Sequence, residues 1–354
     1  MTNVGFIGAG NIASNHARVL DSLGANLLAL ADIDPETRRS FAAEYGVPET
    51  YDDYEAMLAA EPLDLVVVAV PNALHAPCAI AALEAGCNVM LEKPVATTLE
   101  DAQRIAEAEA ANDGIVAIGF VMAFSPWFED VCVRMAAGEL GTVYDVEMEL
   151  VKRRGIPQIG SWFTTKEVSG GGVLIDLGVH VLHLALRVLD FPAIETVRGQ
   201  TGSHFGTDPD YTYLSMWAGD PIEGGTFDVD DHARAFIETA DGTTISLHVA
   251  WASNSETRQQ IRFYGDEAGV TVDTSGGETT TTMYAADRDA LTETELVVGG
   301  EHRLTAEWRY ILSVVRGERE HTRNTLAEGI AVQRIVDAIY ESAEAGREIS
   351  LRED

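Results

Sequence analysis

Val4-Gly5-Phe6-Ile7-Gly8-Ala9-Gly10-Asn11-Ile12-Ala13 opens the chain. A short apolar run passes straight into Gly-x-Gly-x-x-Ala and then into a helical stretch, Ser14 to Leu20. Gly8 permits a tight turn and Gly10 lets the backbone approach a pyrophosphate. Ala13 lets the helix pack on the strand, with its N-terminus, at Asn11 and Ile12, aimed at the phosphates. A second apolar run, Leu27 to Ala31, is closed by Asp32. The gap from Gly10 is 22 residues (32 − 10), near the ~20 expected of a carboxylate that hydrogen-bonds the ribose diol of a dinucleotide. Asp32, with Ile33 beside it, is therefore expected at the adenosine ribose. NAD is the expected cofactor; NADP stays possible because Arg38 and Arg39 follow closely.

Outward from this stretch, strand and helix alternate through residues 1–122. Strands are expected at 3–7, 26–31, 65–70, 87–91 and 115–120, and helices at 11–23, 35–45, 53–60, 74–85 and 99–111. That order implies a doubly wound parallel sheet, a Rossmann domain, with ligands at the carboxyl ends of its strands. After Phe124-Ser125-Pro126 the pattern changes to strands of alternating polarity, clearest in Val143 to Leu150. Others are expected near 196–201, 211–217, 232–239, 243–252, 258–264 and 269–273. They describe a C-terminal α/β domain, residues 123–354, with a large, mostly antiparallel sheet covered on one face. Gly276-Gly277-Glu278 and Thr279 to Thr282 are expected as a surface loop. Two amphipathic helices, near 305–317 and 325–345, are expected to pack back towards the first domain.

The 354 residues carry 57 acids and 24 bases, a net charge of −33, and only Lys93, Lys152 and Lys166 are lysine. This excludes nucleic acid and anionic membrane surfaces as partners, and it fits a salt-rich, halophilic cytoplasm in which self-repulsion is screened. Cys78, Cys87 and Cys132 are odd in number and fall in apolar runs, so buried free thiols in a reducing cytoplasm are expected. No signal-like segment precedes the first strand, and no apolar run is expected to span a membrane.

Three further clusters carry chemistry. Pro71-Asn72-Ala73-Leu74-His75 follows a strand at the sheet's carboxyl edge, so Pro71, Asn72 and His75 are expected to contact the cofactor. Glu92-Lys93-Pro94 ends the next strand on the same edge. A lysine there can hold a substrate hydroxyl and stabilise alkoxide charge. In Ser169-Gly170-Gly171-Gly172 through Asp176-Leu177-Gly178-Val179-His180, Asp176 and His180 are four apart and share one face of a helix. Asp176 can orient His180, and His180 can take a proton. His183 lies on that face too, but no fourth ligand is spaced for a metal, and none is expected. Lys152-Arg153-Arg154 is the one basic cluster; it is either a solvated strand end or an arm to the substrate, with Trp162 as a stacking wall.

The chain as a whole resembles the glucose–fructose oxidoreductase, inositol dehydrogenase and MocA family. The resemblance rests on Gly8 to Ala13, Asp32, Pro71 to His75, Glu92-Lys93-Pro94 and Gly170 through His180, and extends to Phe227-Asp228-Val229-Asp230-Asp231, Trp251-Ala252 and Ala343 to Arg347. It implies hydride transfer between a nicotinamide and a sugar, inositol or related polyol, a catalytic set of Lys93, Asp176 and His180, and a homo-oligomer, dimer or tetramer, built on the open sheet. A non-catalytic NAD-binding regulator, or a hydrolase or lyase using NAD transiently, is the alternative. Two departures stand out. Val121-Met122-Ala123 lacks the arginine usual before the Phe-Ser-Pro, and His183 stands where an aspartate is common.

The charge generates a direct expectation. Screening shortens repulsion to ~3 Å in 1 M salt, so the melting temperature should rise steeply from dilute buffer to molar KCl. Equal melting temperatures in the two would remove the salt-dependent reading.

Overall fold

In the first part of the chain the apolar runs become β1 (Asn3–Ile7), β2 (Asn26–Ala31), β3 (Glu49–Tyr51), β4 (Leu65–Val68), β5 (Asn88–Leu91) and β6 (Val116–Ile118). Between them lie α1 (Asn11–Ser22), α2 (Pro35–Tyr45), α3 (Tyr54–Ala60), α4 (His75–Glu84) and α5 (Leu99–Ala111). This computed structural model describes residues 1–214 and 219–352. The chain divides into two units, Met1–Phe124 with Glu301–Gln333, and Ser125–Gly300 with Arg334–Asp354.

The first unit holds a six-stranded sheet in the order β3-β2-β1-β4-β5-β6, and every pairing is parallel. The winding reverses between β1 and β4, the switch point of a Rossmann sheet. All four residues of β4 are wholly buried, as a strand covered on both faces requires. The edge strand β3 was not expected; Glu49-Thr50-Tyr51 is short and largely exposed, so no apolar run marks it. Asp34, Asp53 and Thr98 cap α2, α3 and α5 with side-chain oxygens. By contrast α1 starts at Gly10 with no side-chain cap, leaving its first N–H groups to another partner.

The second unit starts with α6 (Pro126–Ala136), which had no sequence expectation, and β7 (Val143–Val151). After α7 (Lys166–Ser169) and α8 (Val179–Val188) come β8 (Ile194–Gly202), β9 (His232–Thr239), β10 (Thr244–Ala250), β11 (Arg258–Gly265), β12 (Ala268–Asp273), β13 (Thr280–Asp287), β14 (Ala290–Leu296) and β15 (Ile349–Ser350). Nine strands run in the order β14-β13-β12-β11-β7-β10-β9-β8-β15, and only β10 with β7 is parallel. Buried and accessible residues alternate along β9 and β10, so one face forms a core. Two helices close the chain, α9 (Arg303–Val315) and α10 (Leu326–Ala345).

Several expectations are corrected here. Thr279 to Thr282 is not a loop; from Thr280 it enters the β13–β14 hairpin, whose threonines suit a strand that is open on one face. The strand expected at 211–217 has no counterpart at 211–214, and 215–217 lie outside the described residues. Cys78 and Cys87 are buried free thiols, pushed by burial to about 12 and about 11, but Cys132 is only half-buried. Lys166–Val188 does reach the length and apolarity of a membrane-crossing helix, although 72% of its most apolar 18-residue window is buried within the protein.

Glu307 of α9 has no exposed surface. Its Oε1 accepts a hydrogen bond from Asn324 Nδ2 at 3.3 Å, and its Oε2 has no partner. Burial, reinforced by the charge of Glu92, holds this carboxyl well above the ordinary range. Its stabilising contribution is therefore complete below the unfolded value of ~4.3 and is lost as pH rises towards the raised native value. Glu307→Gln keeps the shape without the ionisation. Its melting temperature should gain on the wild type as pH is raised from 4 to 8; parallel pH curves for the two proteins would count against a protonated Glu307.

Candidate active site

At the switch point Gly8 has φ +94°, and a Cβ there would overlap the carbonyl oxygen of Ala69. Only glycine fits. Gly10 is exposed, and a Cβ built on it meets nothing within 4 Å. Asn11 and Ile12 are exposed beside it. The start of α1 is thus open at Gly10, Asn11 and Ile12, the setting in which a helix terminus takes a phosphate.

Asp32 Oδ2 accepts from Ala9 N–H and Oδ1 from Asp34 N–H, both at 2.8 Å. Each oxygen keeps a further lone pair for a ribose hydroxyl. Arg38 Nη1 donates to the Asp32 carbonyl, so this guanidinium lies close to the same strand end. Ile33 is 87% exposed. An adenosine diphosphate therefore fits the groups present: a glycine turn against β4, an uncapped helix and a fixed carboxylate.

Pro71 and Asn72 follow β4, and Asn72 is buried within a short 3₁₀ turn. His75 is buried at this edge. It is 1% exposed, and its Nδ1 and Nε2 lie 2.7 Å from Pro94 O and 3.0 Å from Val70 O. Burial lowers the pKa of the ring against the pull of those carbonyls. The neutral ring has one N–H to donate to one of these two carbonyls, and it packs between the loop after β4 and Lys93-Pro94. Glu92 Oε2 accepts the Lys93 N–H at 3.2 Å and Oε1 meets His16 Nε2 at 2.8 Å. Lys93 itself is half-buried.

In the second unit the expected continuous α-helix is interrupted. Leu174–Gly178 is a π-turn, and α8 starts only at Val179. The α-helical spacing assumed for Asp176 and His180 therefore does not hold across this segment, although both side chains remain partly accessible. Such turns recur at functional sites. Asp230 locks the segment in place: its carboxylate accepts from Gly172 N–H (2.8 Å), Leu174 N–H (3.0 Å) and Tyr340 O–H (2.8 Å). Desolvation pushes the Asp230 carboxyl up while these donors pull it down. A Cβ on Gly171 would strike the Tyr340 hydroxyl, and one on Gly172 the Asp230 backbone, which accounts for both glycines.

Sequence reasoning gave Trp251 no role. Its indole Nε1–H donates to Asp176 Oδ2 at 2.9 Å, and the side chain is buried, so it fixes the carboxylate that was expected to orient His180. A lone tryptophan after an apolar strand carries no mark of that contact. His183 is wholly buried, 5.9 Å from the Phe191 ring, and reads as core. Among the described residues no group of three or more His, Cys, Asp or Glu is placed to hold a metal.

The basic cluster separates. The Lys152 stem packs over Gly155. Arg154 donates to Ser253 O and Asn254 Oδ1 and lies over Phe205 and Tyr211, so it staples loops. Trp162 is stacked on its neighbour Phe163 at 3.8 Å between ring centroids. Where Val121-Met122-Ala123 departs from the family pattern, Arg323 donates to Ala123 O and lies 4.3 Å over the Phe124 ring.

Comparison with known proteins follows the same division. Residues 2–120 match the oxidoreductase family with an NAD-binding Rossmann fold, and residues 128–271 match the GFO/IDH/MocA C-terminal domain. D-glucoside 3-dehydrogenase of Escherichia coli is 30% identical over 98% of this chain and 97% of its own. D-xylose 1-dehydrogenase (NADP(+)) 2 of Haloferax volcanii is 27% identical over 91% of each. Among solved structures, GenD2 from gentamicin A biosynthesis in complex with NAD is 27% identical, with a TM-score of 0.80 over 99% of this chain and 97% of that one.

The two glycines of the turn should separate stability from binding. Gly8→Ala meets a backbone carbonyl at positive φ and should cost about 2 kcal/mol or more of stability. Gly10→Ala has φ −72° and open space; it should melt like the wild type yet bind NAD on the order of tenfold more weakly, about 1.4 kcal/mol. Calorimetric titration of Gly10→Ala with wild-type affinity would count against a pyrophosphate at this turn.

Proposed function

The chain belongs to the glucose–fructose oxidoreductase, inositol dehydrogenase and MocA family, and from that membership we propose that it dehydrogenates a secondary ring hydroxyl of a glucoside-like sugar or cyclitol. The observation that carries this reading is the placement of Lys93 and its gripped Glu92 at the carboxyl edge of the sheet that binds NAD. The full-length likeness to a D-glucoside 3-dehydrogenase supports a pyranoside ring as the substrate class.

Bound NAD supplies the two-electron acceptor. Lys93 hydrogen-bonds the reacting oxygen and stabilises the charge it develops. His180 accepts the hydroxyl proton, and Asp176, held by Trp251, fixes the orientation of His180 and stabilises its cationic form. The stem of Lys152 and the Trp162 face contribute substrate contacts. NAD is preferred over NADP, because the Asp32 carboxylate accepts ribose hydroxyls and repels a 2′-phosphate, while Arg38 is engaged at the Asp32 carbonyl. The protein acts in a reducing, salt-rich cytoplasm as a homo-oligomer. The open face of its nine-stranded sheet carries Glu147, Glu149, Arg198, Arg234 and Arg262 around a shallow cavity of about 510 Å³, an opposite-charge pattern suited to a second copy.

Glucosides, inositols and aldoses assayed in molar salt should show NADH formation with at least one of the first two classes. With that substrate Lys93→Met, Asp176→Asn and His180→Ala should each lower kcat by ~10²-fold or more while NAD still binds, and pairs should cost less than the sum of the singles. His180→Ala with near-normal kcat across the pH range would move the base elsewhere.

A further inference from the structure

Behind Glu92 lies a pair of buried side chains that the reaction does not touch. His16, on α1, is 2% exposed, and Trp308, on α9, is wholly buried. Trp308 Nε1 lies 2.9 Å from His16 Nδ1, and the rings meet edge to face at 5.4 Å. An indole N–H can only donate, so Nδ1 of His16 must be an acceptor and carry no proton. The ring proton is therefore on Nε2, which donates to Glu92 Oε1 at 2.8 Å. The other Glu92 oxygen accepts the Lys93 backbone N–H. A Cβ on Gly119 would sit 3.0 Å from Glu92 Oε1, so the carboxylate is walled on that side too.

We propose that His16 and Trp308 are positioning residues for Lys93: Trp308 sets the tautomer of His16, His16 sets the carboxylate of Glu92, and Glu92 holds the backbone from which Lys93 projects. This rests on the reading of Lys93 given above. The direction of the chain is forced by donor and acceptor chemistry. Any large aromatic could fill the volume of Trp308, but only one that donates gives Nδ1 of His16 a hydrogen bond. The charged groups about the pair are Glu92 and Lys93 at the end of β5, Glu307 next to Trp308 on α9, and Arg303 and Arg323 near Glu307. Loss of the indole donor should leave the His16 ring, and with it the Glu92 carboxylate, free to turn.

The test joins spectroscopy with kinetics on the full-length protein. In ¹⁵N-labelled wild type, His16 should carry its proton on Nε2 and accept a hydrogen bond at Nδ1. Trp308→Phe should lose the hydrogen-bond signature at Nδ1 and lower kcat roughly tenfold or more with the KM for NAD unchanged. Should Trp308→Phe fold poorly, His16→Gln and His16→Leu carry the same test. Glutamine offers a donor and an acceptor in one uncharged group and should keep most of kcat; leucine should not. Lys93→Met is measured alongside. If Lys93→Met is inactive while Trp308→Phe and His16→Leu keep wild-type kcat and pH profile, the positioning role is overturned, as it is by a wild-type His16 protonated on Nδ1. If Lys93→Met keeps full turnover, it is the reading of Lys93 that fails, and this proposal falls with it whatever the His16 spectrum shows.

Discussion

Everything in the first unit turns on the close approach of two backbones at residue 8. The turn after β1 passes so near the carbonyl of Ala69 that no side chain fits, and φ +94° shuts out other residues as well. That contact ends β1 at the level where β4 ends and releases α1 directly outward from the switch point. The first residues of α1, Asn11 and Ile12, are exposed there. α2, α3 and α5 are each capped by an aspartate or a threonine, whereas the start of α1, like those of α4, α6, α7 and α8, has no side-chain cap. An anion completes it.

The same edge gathers the rest of the site by hydrogen bonds that bind one loop to the next. Asp32 holds Ala9 of the glycine turn, His75 holds Val70 and Pro94, and Glu92 holds Lys93. The second unit uses the same device. Asp230, from one end of the sheet's loop system, and Tyr340, from α10, fix the glycine turn ahead of the π-turn, and Trp251 fixes Asp176. Of the holders, His75, Asp230 and Trp251 are buried. Buried polar groups with complete partners specify one arrangement, and an incomplete set is costly.

Much of this was legible in the sequence for a physical reason: period and punctuation. Parallel strands such as β4 read as unbroken apolar runs, and the strands β7, β9 and β10 read as alternation, so the two sheet types were separable along the chain. Gly8, Asp32, Lys93 and the segment holding Asp176 and His180 announced themselves by residue type at a fixed offset from a strand end. What stayed hidden lacked either signal. The edge strand Glu49–Tyr51 has no apolar residue to bury on one side but Tyr51. The hairpin 280–296 is largely exposed and carries no long apolar run, so it reads as a loop. The π-turn at 174–178 has helical composition and differs only in its hydrogen bonds. Trp251 and Trp308 act through an indole N–H towards partners 75 and 292 residues away, a relation that spacing along the chain does not encode.

The central claim is that a ring carbon gives up its hydrogen to NAD held at the Gly8–Gly10 turn. It is tested most directly by a glucoside carrying deuterium on the carbon that is oxidised, turned over with NAD in molar salt, with the reduced cofactor read by mass spectrometry. The account predicts one deuterium in the reduced nicotinamide and a ketone in the sugar. Reduced cofactor without the label, or product formed with no reduced cofactor at all, would contradict it.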